Sequence, residues 1–408
     1  MRPVAISAAA MTPCKARHVD KTFWELAQWA VAELEKEAKV PIDVVQAGVA
    51  GIYNDIFEFQ AIPESGLQGI VGLANKPLMR VSNGGATGGY AMLAAYNMVA
   101  SGLYDVVLLL GVEKATDCYD FEAKHPTPQV VQTIAYSWDP WFERPIGVTA
   151  ASSYAQVVLA YMDEHPGDLD PWIRAQLVEL LSKQAQNNPY AQRGGEVVTA
   201  EQVMESRYIV TPFRLLETCV YTEGAVALLL TSKGMAGKIE KASGKPPVWI
   251  TGIAAANEPY FVGKSHPHKI LHRIDSDCLA ARQAYSQAGV TPKDIKVIEL
   301  HDAFVPQLMI TMAEMGFVPL GKANDTLDVM KPNGDLLVNW SGGLTFCGHF
   351  VGGSNAMSAK FACDQMRERN LPHGLVHGTG ATIAAYGFAA VLSLEPRSAK
   401  TIQGGRAQ

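Results

Sequence analysis

Four short glycine-bearing segments hold the residues best able to do chemistry. The first, Arg80-Val81-Ser82-Asn83-Gly84-Gly85-Ala86-Thr87-Gly88-Gly89-Tyr90, stands just ahead of a helical segment. Unpaired backbone N–H groups at a helix start stabilise negative charge, so such a turn suits an oxyanion or a phosphate. No GK[ST] follows and the GxGxxG spacing is missing, so it is neither a Walker loop nor a dinucleotide fingerprint; a tight packing turn fits the pattern equally well. The second, His301-Asp302-Ala303-Phe304, directly follows a predicted strand and so falls at its carboxyl end, where α/β folds place ligands. The third runs from Asn339 to Gly353 and contains Gly342-Gly343 and Gly348-His349; the fourth is His373-Gly374-Leu375-Val376-His377-Gly378-Thr379-Gly380-Ala381. One histidine in such a setting is ambiguous. Three histidine-bearing turns together are much harder to dismiss.

A metal centre is the natural rival for several histidines. The close pair His266-Pro267-His268 reads as loop, so no metal is expected in this chain. Tyr221-Thr222-Glu223-Gly224-Ala225 either places an acid near a site or simply starts a strand. Six scattered cysteines (Cys14, Cys118, Cys219, Cys278, Cys347, Cys363) form no CxxC pair, which fits a reducing, cytoplasmic setting. Lys and Arg number 34 against 40 Asp and Glu, a net charge of -6 without blocks of one sign, which argues against nucleic acid as a partner. No run approaches the roughly 18 apolar residues of a membrane span, and the small-residue run ending at Ala10 reads as a first strand.

Behind these turns must lie elements that hold them. A chain of 408 residues has room for two or three domain-sized units. Buried strands are predicted at Ala47–Tyr53, Val106–Gly111, Ala225–Leu230, Val248–Ala254, Ile295–Leu300 and Ala389–Leu394. Helices are predicted at Thr22–Glu37, Ala86–Ser101, Asp170–Gln186 and Asp275–Gln287. This alternation indicates an α/β protein with covered sheets. A helix end, a Pro/Asp turn and a strand recur around Pro41 and again around Pro292, about 250 residues apart, which suggests two similarly folded halves. The stretch from Ala115 to about Arg207 breaks the regular pattern and reads as an insertion, whose Tyr136, Trp138, Trp141 and Phe142 suit either a binding wall or the insertion's own packing.

Taken in order, Asn83 to Gly88, Gly111-Val112-Glu113-Lys114, His301-Asp302-Ala303-Phe304, Gly342-Gly343 with Gly348-His349, and His377-Gly378-Thr379-Gly380 resemble the thiolase superfamily over essentially the whole chain. The likeness is nearest the sterol-carrier-protein-type branch, which has HD-x-F where other thiolases have NEAF. Asn187-Asn188-Pro189, Leu215-Leu216-Glu217-Thr218-Cys219 and Glu223-Gly224-Ala225 look like that branch too. The resemblance implies two similar βαβαβαββ halves in a five-layer αβαβα sandwich with an inserted loop domain. The expected divisions are residues 1–114 with 208–250, an insertion at 115–207, and 251–408. By position, His349 corresponds to the base that activates a thiol, and His301 joins it in binding the enolate oxygen of a thioester. His377 stands near the last proton-shuttling group. Coenzyme A is the implied co-substrate, although no transferable motif assigns its contacts. A homodimeric core and a small OB-fold partner carrying a zinc finger are the implied assemblies.

One departure is decisive. The nucleophilic cysteine of the superfamily precedes A-[ST]-G, and Gly85 stands there before Ala86-Thr87-Gly88, so no acyl-cysteine forms at this position. The resemblance then leaves four readings: direct thiolysis of a β-keto acyl-CoA by coenzyme A, with the Gly85 N–H holding the oxyanion; aldol cleavage of a β-hydroxy acyl-CoA, as in thiolase-fold steroid side-chain enzymes, which generally lack the histidine at position 349; a surrogate nucleophile in Cys347; and a non-catalytic scaffold subunit. Among cysteine-less relatives, the thiolase-like subunits of anaerobic aromatic degradation, of the 2-benzoylsuccinyl-CoA type, are the suspected kin.

Overall fold

The computed structural model describes residues 2–58, 60–118, 130–260, 269–331 and 334–396; His266-Pro267-His268 lies outside them. The first half runs Val4–Met11 (β1), Phe23–Ala38 (α1), Ala47–Gly51 (β2), Leu78–Val81 (β3), Thr87–Ala100 (α2) and Val106–Glu113 (β4). Helices Ala150–Glu164 (α3) and Pro171–Ala185 (α4) follow before the chain returns in Gly224–Ser232 (β5) and Lys233–Ser243 (α5). The second half runs Val248–Asn257 (β6), Asp275–Ala288 (α6), Val297–Glu299 (β7), Val305–Glu314 (α7), Leu337–Val338 (β8), Ser354–Arg369 (α8), His373–Gly380 (β9) and Tyr386–Ser393 (β10).

The strand order β8-β7-β9-β10-β6-β1-β5-β4-β2-β3 makes the duplication explicit. In the first half β3, β2 and β4 are parallel, and β5 and β1 continue antiparallel. The second half repeats this with β8, β7 and β9 parallel and β10 and β6 antiparallel. The halves join where Val4–Ile6 of β1 pairs with Val248–Ile250 of β6. The repeated sequence signal is a repeated local structure. A left-handed residue, Lys39 or Gly289, ends each helix, and a 3-10 turn at Ile42–Val44 or Pro292–Asp294 feeds β2 or β7.

Sheets covered on both faces explain the unbroken apolar runs. In β4, Val107 and Leu109 face a central core with α2 and α8, while Val106, Leu108, Leu110 and Val112 face an outer core with α1. Helix α1 begins with a Thr22/Glu25 capping box and buries Leu26, Ala30, Val31 and Leu34, one stripe at helical spacing. Helices α1 and α5 cover the first sheet, α2 and α8 lie between the sheets, and α6 covers the second, giving five layers. Gly88 lets the central helices approach, because a Cβ there would sit 3.0 Å from Ala356 N. Helices α3 and α4 pack on the second half through Tyr154, Val158, Leu177 and Leu181.

Two short strands, β3 and β8, were not predicted: runs of 4 and 2 residues carry no readable alternation. No helix among the described residues is long and apolar enough to cross a membrane.

Candidate active site

Four chain turns converge at the ends of the central strands and helices. Gly84, with φ of 57°, bends the backbone into the start of α2, and Thr87 Oγ1 closes the turn on Gly84 O at 2.6 Å. Gly380, at the end of β9, abuts it so closely that a Cβ there would lie 2.6 Å from Gly85 N. His301 follows β7, whose edge is held by Asn339: its Oδ1 accepts from Leu300 N at 2.6 Å and its Nδ2 donates to Leu300 O at 3.2 Å.

The His301-Asp302 pair divides its work. His301 faces the cavity, while buried Asp302 accepts from Leu344 N at 2.6 Å and from Thr345 Oγ1 at 2.9 Å, pinning the loop that leads to His349. Gly343 is required here, since a Cβ would meet Asp302 Oδ2 at 2.2 Å. Burial raises the Asp302 carboxyl to about 6, against the lowering by these donors.

The rings of His301 and His349 meet edge to face, with centroids 5.0 Å apart and planes at 89°. The hydrogen bonds assign their tautomers. Ser354 Oγ has a single proton and two acceptors in reach, Phe350 O at 3.0 Å and His349 Nδ1 at 2.7 Å; the arrangement that satisfies all three groups gives it to Phe350 O and assigns the His349 proton to Nδ1. Nε2 is left with a free lone pair on a cavity-lining ring. For His301, Nδ1 faces Asn355 Nδ2 at 3.4 Å and accepts, so its proton sits on Nε2. That ring edge faces Gly85: a Cβ built on Gly85 would lie 3.0 Å from His301 Cε1 and 3.3 Å from Nε2. Burial pulls His349 down to about 4; burial first, then the neighbouring His349 and His377, hold His301 well below the usual range. Both rings are therefore neutral at pH 7.

The cavity in front of them measures about 750 Å³. Tyr53, Trp138, Tyr154, Leu215, Tyr221 and Phe304 supply much of its apolar wall, and Phe304 is itself fixed by stacking on Phe213 at 4.7 Å. Among the described residues no carboxylate lines it, and Arg207 is its one lining Lys or Arg. Negative charge developing on a reacting oxygen therefore meets imidazoles and backbone N–H groups rather than anions.

Of the residues singled out in the sequence, Gly85, His301 and His349 line this cavity together. His377 does not reach it. It lies behind His301, where its Nδ1 accepts from His301 N at 3.3 Å and its Nε2 faces Asp277 Oδ1 at 3.0 Å, out of hydrogen-bond alignment. Cys347 is fully buried away from the cavity, with Asn188 Nδ2 at 3.5 Å and Met357 Sδ at 3.8 Å from its sulfur. Hydrogen bonding to Cys14, then burial, keeps that thiol well above its ordinary range. Of the four insertion aromatics, only Trp138 lines the cavity; Tyr136, Trp141 and Phe142 point to solvent at 60%, 80% and 79% exposure. Glu223 takes the structural alternative, accepting from His18 N at 2.6 Å and standing 3.4 Å from Lys114 Nζ, outside the cavity. No group of three or more potential metal ligands occurs among the described residues.

Tyr53, Tyr154 and Asn355 were not singled out from the sequence. Cys219, named in the sequence only among the six cysteines and within the stretch 215–219 and given no role there, lines the cavity, its thiol pushed up to about 12 by burial.

Residues 4–159 match the family model described as "Thiolase, N-terminal domain", and residues 273–393 match "Thiolase C-terminal domain-like". An acetyl-CoA acetyltransferase of Methanothermobacter thermautotrophicus is 32% identical over 330 residues, covering 78% of this chain and 81% of the relative. The chain belongs to the thiolase family. Within it the relatives include bovine sterol carrier protein 2, 28% identical over 85% of this chain and 63% of that protein, so the likeness to the sterol-carrier-protein-type branch holds. The benzoylsuccinyl-CoA thiolase subunit BbsB of Thauera aromatica is 28% identical over 72% of this chain and 71% of its own. Among solved structures, the Ltp2-ChsH2(DUF35) aldolase superposes with a TM-score of 0.74 at 24% identity, covering 96% of this chain and 97% of that one, a likeness of fold.

Proposed function

We propose that this thiolase-family chain cleaves or forms the C–C bond of a β-keto acyl-CoA by direct attack of coenzyme A, with no acyl-enzyme. The observation that carries the reading is the pairing of a lone-pair-bearing His349 Nε2 with a proton-bearing His301 Nε2 around the thiol-less Gly85. In the cleavage direction His349 Nε2 takes the proton of the coenzyme A thiol. The sulfur attacks the β-carbonyl carbon, and the resulting alkoxide is held by the Gly85 backbone N–H. The bond between the α- and β-carbons breaks, giving a new acyl-CoA and a thioester enolate whose oxygen accepts from His301 Nε2–H and from the protonated His349. The proton taken from the thiol then returns to the α-carbon, so the cycle balances.

A base held near 4 in the empty cavity is weak. A thiolate forming beside it raises its affinity for the proton, because opposite charges stabilise each other where water is excluded. Holding both substrates together supplies roughly 7–11 kcal/mol of the barrier without covalent help. His377 acts through the His301 backbone and not on substrate.

The wall of Tyr53, Trp138, Tyr154, Tyr221 and Phe304 supports a bulky, aromatic acyl group, in keeping with the name of the BbsB relative. That relative is called a subunit, which supports a partner chain of some kind; we propose a small OB-fold, zinc-finger partner alongside a homodimeric core. Turnover of β-keto and β-hydroxy acyl-CoAs, each with and without free coenzyme A, tests the reading. Cleavage that needs coenzyme A supports it; coenzyme A-independent release of an aldehyde or ketone replaces it with aldol cleavage. His349→Ala is expected to lower kcat about 10²- to 10⁴-fold. Unchanged turnover would remove His349 from the role.

A further inference from the structure

Asn355 is the second residue of α8, buried where the two central helices cross. Its amide is oriented by what surrounds it. Gly89 N, in α2, points an N–H at Asn355 Oδ1 at 3.0 Å, and only the oxygen of the amide can accept there. The NH2 group is thereby turned toward His301 Nδ1 at 3.4 Å. Gly378 leaves room for it: a Cβ at that position would come within 2.7 Å of Asn355 Cγ and Nδ2. A donor facing Nδ1 forces the His301 proton onto Nε2, the edge turned toward Gly85. The same ring with its proton on Nδ1 would present a lone pair there and repel an oxyanion.

We propose that Asn355 is a positioning residue that sets the His301 tautomer, making this ring the hydrogen-bond donor of the site while Ser354, one residue earlier, makes His349 the acceptor. Two neighbouring residues of one helix start thus give two adjacent histidines opposite polarity. The catalytic consequence rests on the function proposed above; the tautomer assignment does not.

The test is Asn355→Asp, which keeps an oxygen for Gly89 N–H but replaces the donor facing His301 with an acceptor. Long-range 15N–1H correlation spectra of histidine-labelled protein, with the His301 signal assigned through His301→Gln, report the tautomer directly. The wild-type ring is expected to carry its proton on Nε2. In Asn355→Asp a proton is expected on Nδ1. With an active thioester, kcat is expected to fall about 100-fold, the loss seen when one oxyanion donor is removed, while KM changes much less. A wild-type spectrum with the proton on Nδ1 overturns the proposal even if the variant does not fold. So does an unaltered His301 pattern in a folded variant. A protein inactive toward every thioester, yet showing the tautomer and its switch, supports the assignment and retires the thioester reading alone.

Discussion

Restoring a thiol at position 85 should not restore an acyl-enzyme. A Cβ on Gly85 would stand 2.6 Å from Thr379 O and 3.0 Å from His301 Cε1. The first contact is with backbone in β9, held by pairing to β10, so it cannot be relieved by a rotamer change. Gly85 does not have a left-handed φ, and the cost of Gly85→Cys is therefore steric overpacking, about 1–3 kcal/mol, rather than backbone strain. Relief of the clash pushes His301 or the strand end away and opens the donor site. Denaturant unfolding should show a lowered midpoint at constant slope. Intact-mass measurement after incubation with an acyl-CoA should show no added acyl group on the introduced thiol, and turnover should fall. Full stability together with a stoichiometric acyl adduct would refute the steric reasoning and mark Gly85 as a simple truncation of a thiol site.

The remaining expectations concern charge and the loop that carries His349. Because burial lowers His349 from 6.5 to about 4, the unfolded chain binds more protons between those values, and stability should fall as pH drops from about 6.5 to 4 by roughly 3 kcal/mol from this ring. Glu113 and Glu299, raised by burial to about 8 and 7, act in the opposite sense as pH rises through that range. The comparison that isolates His349 is therefore the difference in unfolding free energy between wild type and His349→Gln followed with pH, which should change by roughly 3 kcal/mol between pH 6.5 and 4; parallel profiles would show that His349 is not held neutral. Asp302→Ala strands the N–H of Leu344, while the hydroxyl of Thr345 keeps the residue 302 backbone carbonyl as its acceptor, and should cost about 1–3 kcal/mol in equilibrium unfolding, with a further loss of activity as the His349 loop loosens. Cys347→Ser should leave steady-state turnover within about twofold, since a protonated, cavity-remote thiol takes no part.

The glycine-rich turns were legible because tight bends demand glycine whatever surrounds them, and Gly84, Gly342, Gly343 and Gly348 all take positive φ. The apolar runs of β4 and β5 and the helical stripe of α1 were legible through their periodicity. The cavity wall was not: Tyr53 and Tyr154 lie in unrelated regions, and Phe304 and Cys219, though within motifs, give no sign of sharing a cavity until the folded sheet brings them together. Aromatic content in the insertion pointed to a wall, yet Trp141 and Phe142 face outward, because composition does not say which side of a loop is covered. Asn355 was invisible for a related reason. An asparagine at a helix start reads as local capping, whereas its partners here are Gly89 and His301, 266 and 54 residues away.

The central claim is that carbon–sulfur bond formation uses coenzyme A itself and no protein thiol. The most direct measurement mixes enzyme with a labelled β-keto acyl-CoA that it turns over, omits free coenzyme A, and quantifies the thioester of the shortened product within the first turnover. No cleavage is expected until coenzyme A is added, after which product forms without a protein-bound acyl group. A burst of cleavage equal to the enzyme concentration in its absence, with the acyl group retained on the protein, would contradict the account.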